Sequence, residues 1–204
     1  MYNRLNRRVR MKVERFILAS SSPRRQELLK RLGFEFDVVP ASVSELAREG
    51  ESPRDFALRM ACEKAGQVAD RHPKRWVVAA DTVVLIDGEM LGKPQSEAEA
   101  VEMLSKLRGR THIVATGFCI TRGGGPVFEG VVESRVEMVN LSDDEVRWYV
   151  STGEPLDKAG AYGVQGIGAM FIKRVVGSYT NVVGLPLAEL IEGMKKLGIV
   201  RFEP

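Results

Sequence analysis

Cysteine and histidine are scarce in this sequence, because the 204-residue chain has only two of each. Cys62 and Cys119 lie far apart along the chain, which argues against a disulfide framework or a zinc knuckle and predicts two buried thiols in a reducing compartment. His72 and His112 show no metal-ligand spacing, and we expect each to be structural or exposed. No local Ser–His–Asp or Cys–His signature is present. The sequence therefore points away from zinc and from nucleophilic-triad chemistry.

Long apolar runs and a strong net charge are also missing. No stretch reaches the roughly 18 apolar residues of a membrane helix, and no secretory signal is recognisable, so we expect a cytoplasmic protein without membrane contact. The formal net charge is +3, and the first ten residues carry four arginines and no acid. The remainder is nearly neutral, so the charge does not predict nucleic-acid binding. We expect residues 1–12 to be a basic tail that need not be ordered, and residues 13–204 to form one domain.

Strand-like and helix-like segments alternate along the chain. Runs rich in β-forming residues occupy 15–20, 34–39, 76–88, 111–121, 126–140 and 169–176. Helix-start signals stand at Ser22-Pro23, Ser52-Pro53, Ser96 with Glu99, Ser142 with Glu145, and Pro186. The runs 111–121 and 126–140 read as an antiparallel hairpin, and Asp81 interrupts the run 76–88. The pattern predicts an α/β fold with a mixed β-sheet and flanking helices.

The segment SSSPRR at residues 20–25 combines several features of an anion site. It lies between a strand and the start of a helix, where free N–H groups and the helix dipole favour negative charge. Serine hydroxyls add neutral donors, and the forked guanidinium groups of Arg24 and Arg25 suit phosphate oxygens. A capped surface helix with two solvated arginines is the alternative explanation.

Asp81 is a carboxylate within an apolar, strand-like run, where a charge is costly unless it has a cation or hydrogen bonds. Ligands of open α/β sheets bind at the carboxyl ends of strands. Three roles are open from the residues alone. Asp81 can deprotonate a water, hold a hard divalent cation, or bond to nearby backbone as a structural group.

The other polar candidates are weak when taken singly. Lys93 lies in a Gly-Lys-Pro turn that could fix its ammonium near a phosphate, although GEMLGKP is not a Walker A motif. Lys64 is placed on a predicted helix, Glu45 in a loop, and Gln165 in the glycine-rich segment 153–168. Together, the basic groups and the carboxylate indicate hydrolysis of a phosphate ester or anhydride.

Several motifs together resemble the Maf family. They are ASSSPRRQELLKRLG, AADTVV, LGKP, LRGRTHIVATG and DKAGAYGVQGIGAMFIKRVVGSYTNVVGLPL, and they span residues 15 to 198 in the family's order. The resemblance implies a two-lobed α/β fold around a cleft, similar to that of inosine triphosphate pyrophosphatases. It also implies cleavage of a nucleoside triphosphate to the monophosphate and pyrophosphate, a need for Mg²⁺ or Mn²⁺, pairing into homodimers, and a link to septum formation.

The resemblance also assigns roles to individual residues. Asp81 falls on the proton acceptor of the family. The residues implied in substrate choice are Arg24, Thr82 and Gln165. The residues implied in phosphate binding are Ser20, Ser22, Arg25, Lys64 and Lys93. Glu45 and Asp81 are the implied ligands of the divalent cation, although Ser42 and Ser44 stand where relatives often carry aspartates.

The loop sequence AYGVQGIGA resembles the branch of the family that acts on dTTP and UTP. Gln165 offers both a donor and an acceptor, as a pyrimidine edge requires. Two alternatives stay open at this stage. One is a preference for 7-methyl-GTP or another purine nucleotide on the same scaffold, and the other is a nucleotide-binding regulator of cell division that acts without turnover.

Overall fold

The computed structural model describes residues 10–203; residues 1–9, most of the predicted basic tail, and residue 204 lie outside the described range. The strands are β1 Arg10–Val13, β2 Phe16–Leu18, β3 Phe36–Val38, β4 Val77–Ile86, β5 Glu89–Leu91, β6 Thr111–Thr121, β7 Pro126–Met138, β8 Ile172–Val176 and β9 Val200–Glu203. The helices are α1 Pro23–Arg31, α2 Pro53–Arg71, α3 Glu97–Leu107, α4 Asp143–Ser151, α5 Tyr179–Val183 and α6 Leu187–Lys196. No helix in this range is long and apolar enough to cross a membrane.

The main sheet is mixed, as the alternating pattern predicts. Its strand order is β3-β2-β4-β6-β7-β8, with β5 paired to β4. The pairs of β2 with β3 and with β4 are parallel, whereas β4, β6, β7 and β8 pair antiparallel. The predicted fold class, a mixed sheet with flanking helices, is therefore confirmed.

The central strand β4 places Asp81 inside the sheet. The predicted interruption of this run at Asp81 is wrong, because β4 is continuous and Asp81 is registered opposite Gly117 of β6. Hydrogen bonding to an ammonium group, described below, offsets the cost of burying the carboxylate. The neighbouring strand β2 ends at Leu18, whereas β4 continues to Ile86. The edge of β4 next to Asp81 is thus left open just beyond the carboxyl end of β2.

The serine caps place the helix starts. The side chains of Ser22 and Ser52 each accept a bond from the backbone N–H three residues later, which satisfies one free donor of the first turn. Ser142 forms the full reciprocal capping box with Glu145. Ser96 caps α3, but the Glu99 carboxylate bonds to the backbone of Gln95 instead. The capping box predicted at Ser96 and Glu99 is therefore only half formed.

Three features differ from the sequence-based prediction. Strand β8 begins at Ile172 and not at residue 169 as predicted, because residues 166–171 form a 3₁₀ helix. The short helix α5 was not predicted at all. Residues 10–13, at the edge of the predicted tail, form β1, which pairs with β9 in a separate two-stranded sheet. The division into one tail and one domain remains a prediction.

Helix α2 lies across the sheet with almost no clearance at Gly117. A Cβ at this position would lie 2.3 Å from the carbonyl oxygen of Ala57, closer than real Cβ contacts allow. Only hydrogen fits between β6 and the helix backbone here. The close approach brings the α2 side chains down onto β4.

We predict that Gly117→Ala destabilises the fold by about 1–3 kcal/mol or more, because the added methyl group meets backbone that cannot rotate away. Gly66→Ala is the matched control on α2, where a Cβ meets nothing within 4 Å. It should stabilise the helix by about 0.5–1 kcal/mol. Urea unfolding curves of the two variants measure both effects, and equal midpoints would contradict the packing argument.

Candidate active site

A cleft of about 480 Å³ opens at the carboxyl end of β2. It is bordered by the start of α1, the exposed edge of β4, the Gly-Lys-Pro turn and the segment 153–168. All ten residues proposed from the sequence line it: Ser20, Ser22, Arg24, Arg25, Glu45, Lys64, Asp81, Thr82, Lys93 and Gln165. The structure thus brings into one place residues that are up to 145 positions apart in the chain.

The floor of the cleft holds an ammonium group between two carboxylates. The Lys64 Nζ lies 2.6 Å from Asp81 Oδ1 and 2.6 Å from Glu45 Oε1. The side chains of Lys64 and Asp81 are only 13% and 12% exposed, so water screens this pair weakly. Lys64 was proposed from the sequence as a phosphate ligand. In the structure its charge is directed at the two carboxylates.

Helix α2 also holds the loop that carries Glu45. One helical turn beyond Lys64, the Gln67 amide exchanges two bonds with the backbone of Ser42, at 2.7 and 2.6 Å. Earlier on the same helix, Arg59 binds the Glu51 carboxylate at 2.5 and 2.6 Å. Three side chains of α2 therefore hold the loop that carries Glu45.

The electrostatics of Glu45 follow from this arrangement. Burial raises the pKa of its carboxyl group, but the hydrogen bond and charge of Lys64, together with Lys93 and Arg25, more than reverse that effect. The net result is a lowered pKa. Glu45 is therefore a carboxylate at neutral pH, held in that form by the surrounding cations.

Arg25 reaches inward from α1 and connects three elements. Its guanidinium donates to the carbonyl of Gly184 at 2.7 Å, to Ser20 Oγ at 3.2 Å and to Thr82 Oγ1 at 3.0 Å. Burial is the main cause of its lowered pKa. Of the five N–H groups of an arginine, three have partners among residues 10–203 and two have none there.

The hydroxyl group of Thr82 is bound within the protein. It accepts from Arg25 and lies 2.9 Å from the hydroxyl of Thr116, which itself donates to the carbonyl of Asn181. The single proton of Thr82 is thus directed to Thr116. This geometry supports a role in positioning Arg25, and the role in substrate choice remains a prediction.

Arg24 bridges the cleft from α1 to the segment 153–168. It bonds to the carboxylate of Asp157 at 2.7 Å and to its backbone carbonyl at 3.2 Å. Burial tends to raise the pKa of Asp157, but Lys158 and Arg24 lower it overall. The contact joins the start of α1 to the segment 153–168, which contains Gln165.

Glu154 organises the segment in which Gln165 lies. Its carboxylate accepts from the backbone of Ile167 and Gly168, at 2.8 and 2.9 Å, and from the Tyr149 hydroxyl at 2.8 Å. The tight turns depend on glycine, since Gly160 has a φ of +68° and packs against Val84 of β4. The segment is therefore a folded wall of the cleft.

Sequence reasoning missed several residues that build the site: Arg59, Gln67, Thr116, Glu154, Asp157 and Asn181. No local motif marks the contacts that these residues make. Gln67 is the exception in part, because it follows Lys64 by three residues, a spacing at which helical periodicity predicts neighbours.

The two histidines and two cysteines lie outside this chemistry. His112 is buried and bonds to the Tyr162 hydroxyl at 2.6 Å, and burial lowers its pKa to about 4, which makes it a neutral structural group. Cys119 is buried as expected, but Cys62 is only half-buried. The sulfur atoms of the two cysteines also lie within 4.8 Å of each other.

The family can now be stated from comparison with known proteins. The family sequence model described as "Maf-like protein" matches residues 15–197. The chain belongs to the Maf family. The family resemblance drawn from the motifs is thereby confirmed.

Close relatives of this Maf protein carry one name. The proteins of Desulfotalea psychrophila and Syntrophus aciditrophicus are each 49% identical, over 90% and 94% of this chain and 95% and 94% of theirs. The protein of Geobacter sulfurreducens is 48% identical over 92% of this chain and 99% of its own. All three are named dTTP/UTP pyrophosphatase.

Two solved structures match this chain at lower identity. A HAM1 protein from Coxiella burnetii is 17% identical, with a TM-score of 0.48 over 90% of this chain and 98% of its own. A nucleoside-triphosphatase, dITP/XTP pyrophosphatase, from Mycobacterium abscessus is also 17% identical, with a TM-score of 0.40 over 91% and 98%.

The donors at the cleft floor of this Maf protein suit a hard divalent cation. Asp81 and Glu45 both approach one cationic group, and carboxylate oxygen is the donor that Mg²⁺ and Mn²⁺ prefer. Two carboxylates leave the other coordination positions to water and to phosphate oxygens, which is the usual arrangement in phosphoryl-transfer sites.

We predict that Lys64→Met raises the pKa of Glu45, because burial then acts without its main opposing charge. In the wild type, a lowered pKa stabilises the fold above the pKa of the unfolded chain, and this stabilisation is lost as the pH falls through the folded value. The variant should lose that pH-dependent contribution. Carboxyl-carbon NMR titration measures the shift.

Lys106→Met is the control for this titration, since Lys106 pairs with Glu89 outside the cleft. It should leave Glu45 unchanged. An unaltered pKa of Glu45 in Lys64→Met would show that Lys64 is not the group that holds this carboxylate.

Proposed function

We propose that this Maf protein hydrolyses dTTP and UTP to the nucleoside monophosphate and pyrophosphate. The observation that carries the proposal is a buried carboxylate, Asp81, at the floor of a cleft whose walls are mainly basic. The names of relatives that are nearly half identical over almost their whole length support the same reaction and the same substrates.

The charges of the cleft suit a triphosphate. Its lining includes five basic residues, Arg24, Arg25, Lys64, Lys93 and Lys158, against three acidic ones, Glu45, Asp81 and Asp157. The excess positive charge attracts a polyanion, and the positive end of the α1 helix dipole next to Ser22 adds to this attraction. A volume of about 480 Å³ lies in the range of small-molecule sites.

Asp81 is the group we assign to the proton transfer. Its Oδ1 accepts from Lys64, and no donor among residues 10–203 bonds to its Oδ2. Oδ2 can therefore accept a proton from a water molecule as the water oxygen bonds to phosphorus. The bond between that phosphorus and the oxygen that bridges the α and β phosphates breaks, and the electron pair stays on this bridging oxygen, so that the products are the nucleoside monophosphate and pyrophosphate.

Lys64 acts in this proposal as a positioning residue. It fixes the rotamer of Asp81 and keeps Oδ2 turned toward the cleft. A bound Mg²⁺ or Mn²⁺ would supply charge neutralisation to the phosphate oxygens, with Glu45 and Asp81 as its protein ligands. Lys93 and the two free N–H groups of Arg25 then contact the phosphate chain.

The choice of base is assigned to the wall between Arg24 and Gln165. Gln165 lies at the cleft, half-buried, with one donor and one acceptor function on its amide. The names of the relatives do not favour the alternatives of a 7-methyl-GTP or purine substrate, or of a regulator without turnover. Pairing into homodimers remains a prediction from the resemblance.

Asp81→Asn tests the proposal. With UTP and Mg²⁺, the wild type should give UMP and pyrophosphate, and the variant should lose about 10²–10⁴-fold in kcat, the usual contribution of a positioned acid–base group. Ion chromatography identifies the products. UDP and orthophosphate would show that the proposed cleavage position is wrong.

Asp87→Asn is the matched control. Asp87 lies in an exposed turn outside the cleft, and its left-handed backbone, with a φ of 52°, is one that asparagine also adopts. Its kcat should equal that of the wild type. A folded Asp81→Asn variant with near-normal kcat would remove Asp81 from the mechanism, and faster hydrolysis of 7-methyl-GTP than of UTP would favour the other branch.

A further inference from the structure

A second group of chemically active side chains lies between α2 and the sheet, outside the cleft. Cys62 of α2, Cys119 of β6 and Glu129 of β7 each offer one ligand atom, and these atoms all lie within 4.8 Å of one another. None of the three lines the phosphate cleft. The proposed pyrophosphatase reaction gives these residues no task.

The sheet register and the helix packing create this cluster. Cys119 and Glu129 are direct cross-strand partners, so their side chains lie next to each other on one face. Helix α2 crosses the same face and places Cys62 above them. The Cys62 thiol donates to Glu129 Oε2 at 2.9 Å.

We propose that Cys62, Cys119 and Glu129 form a binding site for a soft or borderline divalent cation of the zinc class. Two thiolates and a carboxylate are ligands that zinc takes in proteins, and thiolates select against Mg²⁺. Two sulfurs bound to one zinc ion at about 2.3 Å are about 3.8 Å apart in tetrahedral geometry, so small side-chain movements suffice.

The surroundings of the cluster supply the other requirements of a metal site. Cys119 is 1% exposed and packs in an apolar cluster with Ala65 and Val77, which provides a rigid base. Glu129 is exposed and Cys62 is half-buried, so an ion can enter from solvent and keep a water as its fourth ligand. Both thiols release their protons to solvent when the metal–sulfur bonds form.

The carboxylate favours a metal site over a disulfide. A Cys62–Cys119 disulfide would leave Glu129 without a function, whereas a cation between the three groups uses all of them. Without a cation, the hydrogen bond with Cys119, burial and the charge of Glu129 together raise the pKa of the Cys62 thiol. The Cys62 thiol then keeps its proton, which it donates in the hydrogen bond to Glu129.

Cobalt(II) is a suitable probe, because its thiolate complexes absorb in the near ultraviolet. The full-length protein is reduced, stripped of metal and titrated with Co²⁺ under argon, with excess Mg²⁺ present to occupy oxygen-donor sites. We expect a thiolate-to-cobalt charge-transfer band that saturates at one Co²⁺ per chain and disappears on addition of Zn²⁺. Absence of the band would overturn the proposal.

Variants assign the ligands. Cys62→Ser and Cys119→Ser should each abolish or strongly reduce the band. Glu129→Gln changes an exposed position and should weaken Co²⁺ binding by at least about ten-fold. Loss of a residue that merely hydrogen-bonds to a metal ligand already costs about that much, and loss of a ligand should cost no less. Glu133→Gln is the matched control. Glu133 lies on the same face of β7 and, within residues 10–203, pairs only with Arg54, at 3.9 Å. This variant should bind Co²⁺ normally.

Two results would contradict the assignment. One is a band that survives in Cys119→Ser, or that is unchanged in Glu129→Gln. The other is an absent band together with rapid formation of an intramolecular disulfide by oxidised glutathione, detected by mass spectrometry. That second result would identify the two thiols as a redox pair.

Discussion

The interaction on which the site depends is the shared ammonium of Lys64. It neutralises part of the charge of Asp81 inside a strand and at the same time holds the Glu45 loop over the cleft, with 2.6 Å to each carboxylate. A buried carboxylate without such a partner would cost several kcal/mol or take up a proton. The ion pair therefore lets β4 run unbroken through Asp81, and the second carboxylate oxygen has no donor among residues 10–203.

Helix α2 is the element that makes this interaction possible. It contacts β6 backbone to backbone at Gly117, which brings Lys64 within reach of β4. Arg59 and Gln67, on the same helix, fix the loop that carries Glu45. The same helix places Cys62 over Cys119 on the sheet. One packing contact thus supports both the phosphate cleft and the proposed thiolate site.

Much of the fold was predictable because its signals are local. Serine caps followed by proline mark the starts of α1 and α2, and glycine-linked β-rich runs mark the β6–β7 hairpin. The sequence predicts a break in the strand at Asp81, whereas β4 continues through it. The charge is tolerated there because of Lys64, which is 17 residues away in the chain. The ten site residues were found largely through resemblance, whereas partners such as Glu154 and Asp157 act through tertiary contacts that no spacing reveals. The two cysteines are far apart in the sequence, so nothing in it indicates that α2 and β6 bring their sulfur atoms within 4.8 Å of each other.

The central claim is that Lys64 serves turnover through Asp81, and a double-mutant cycle on kcat/KM for UTP tests it most directly. The cycle uses Lys64→Met and Asp81→Asn, alone and together, in variants whose circular dichroism matches the wild type. If Lys64 acts mainly by positioning the Asp81 carboxylate, Lys64→Met should slow the wild type much more than it slows Asp81→Asn, where only its contact with Glu45 is still lost. Equal losses in both backgrounds would show that the two residues act independently, and would contradict the account.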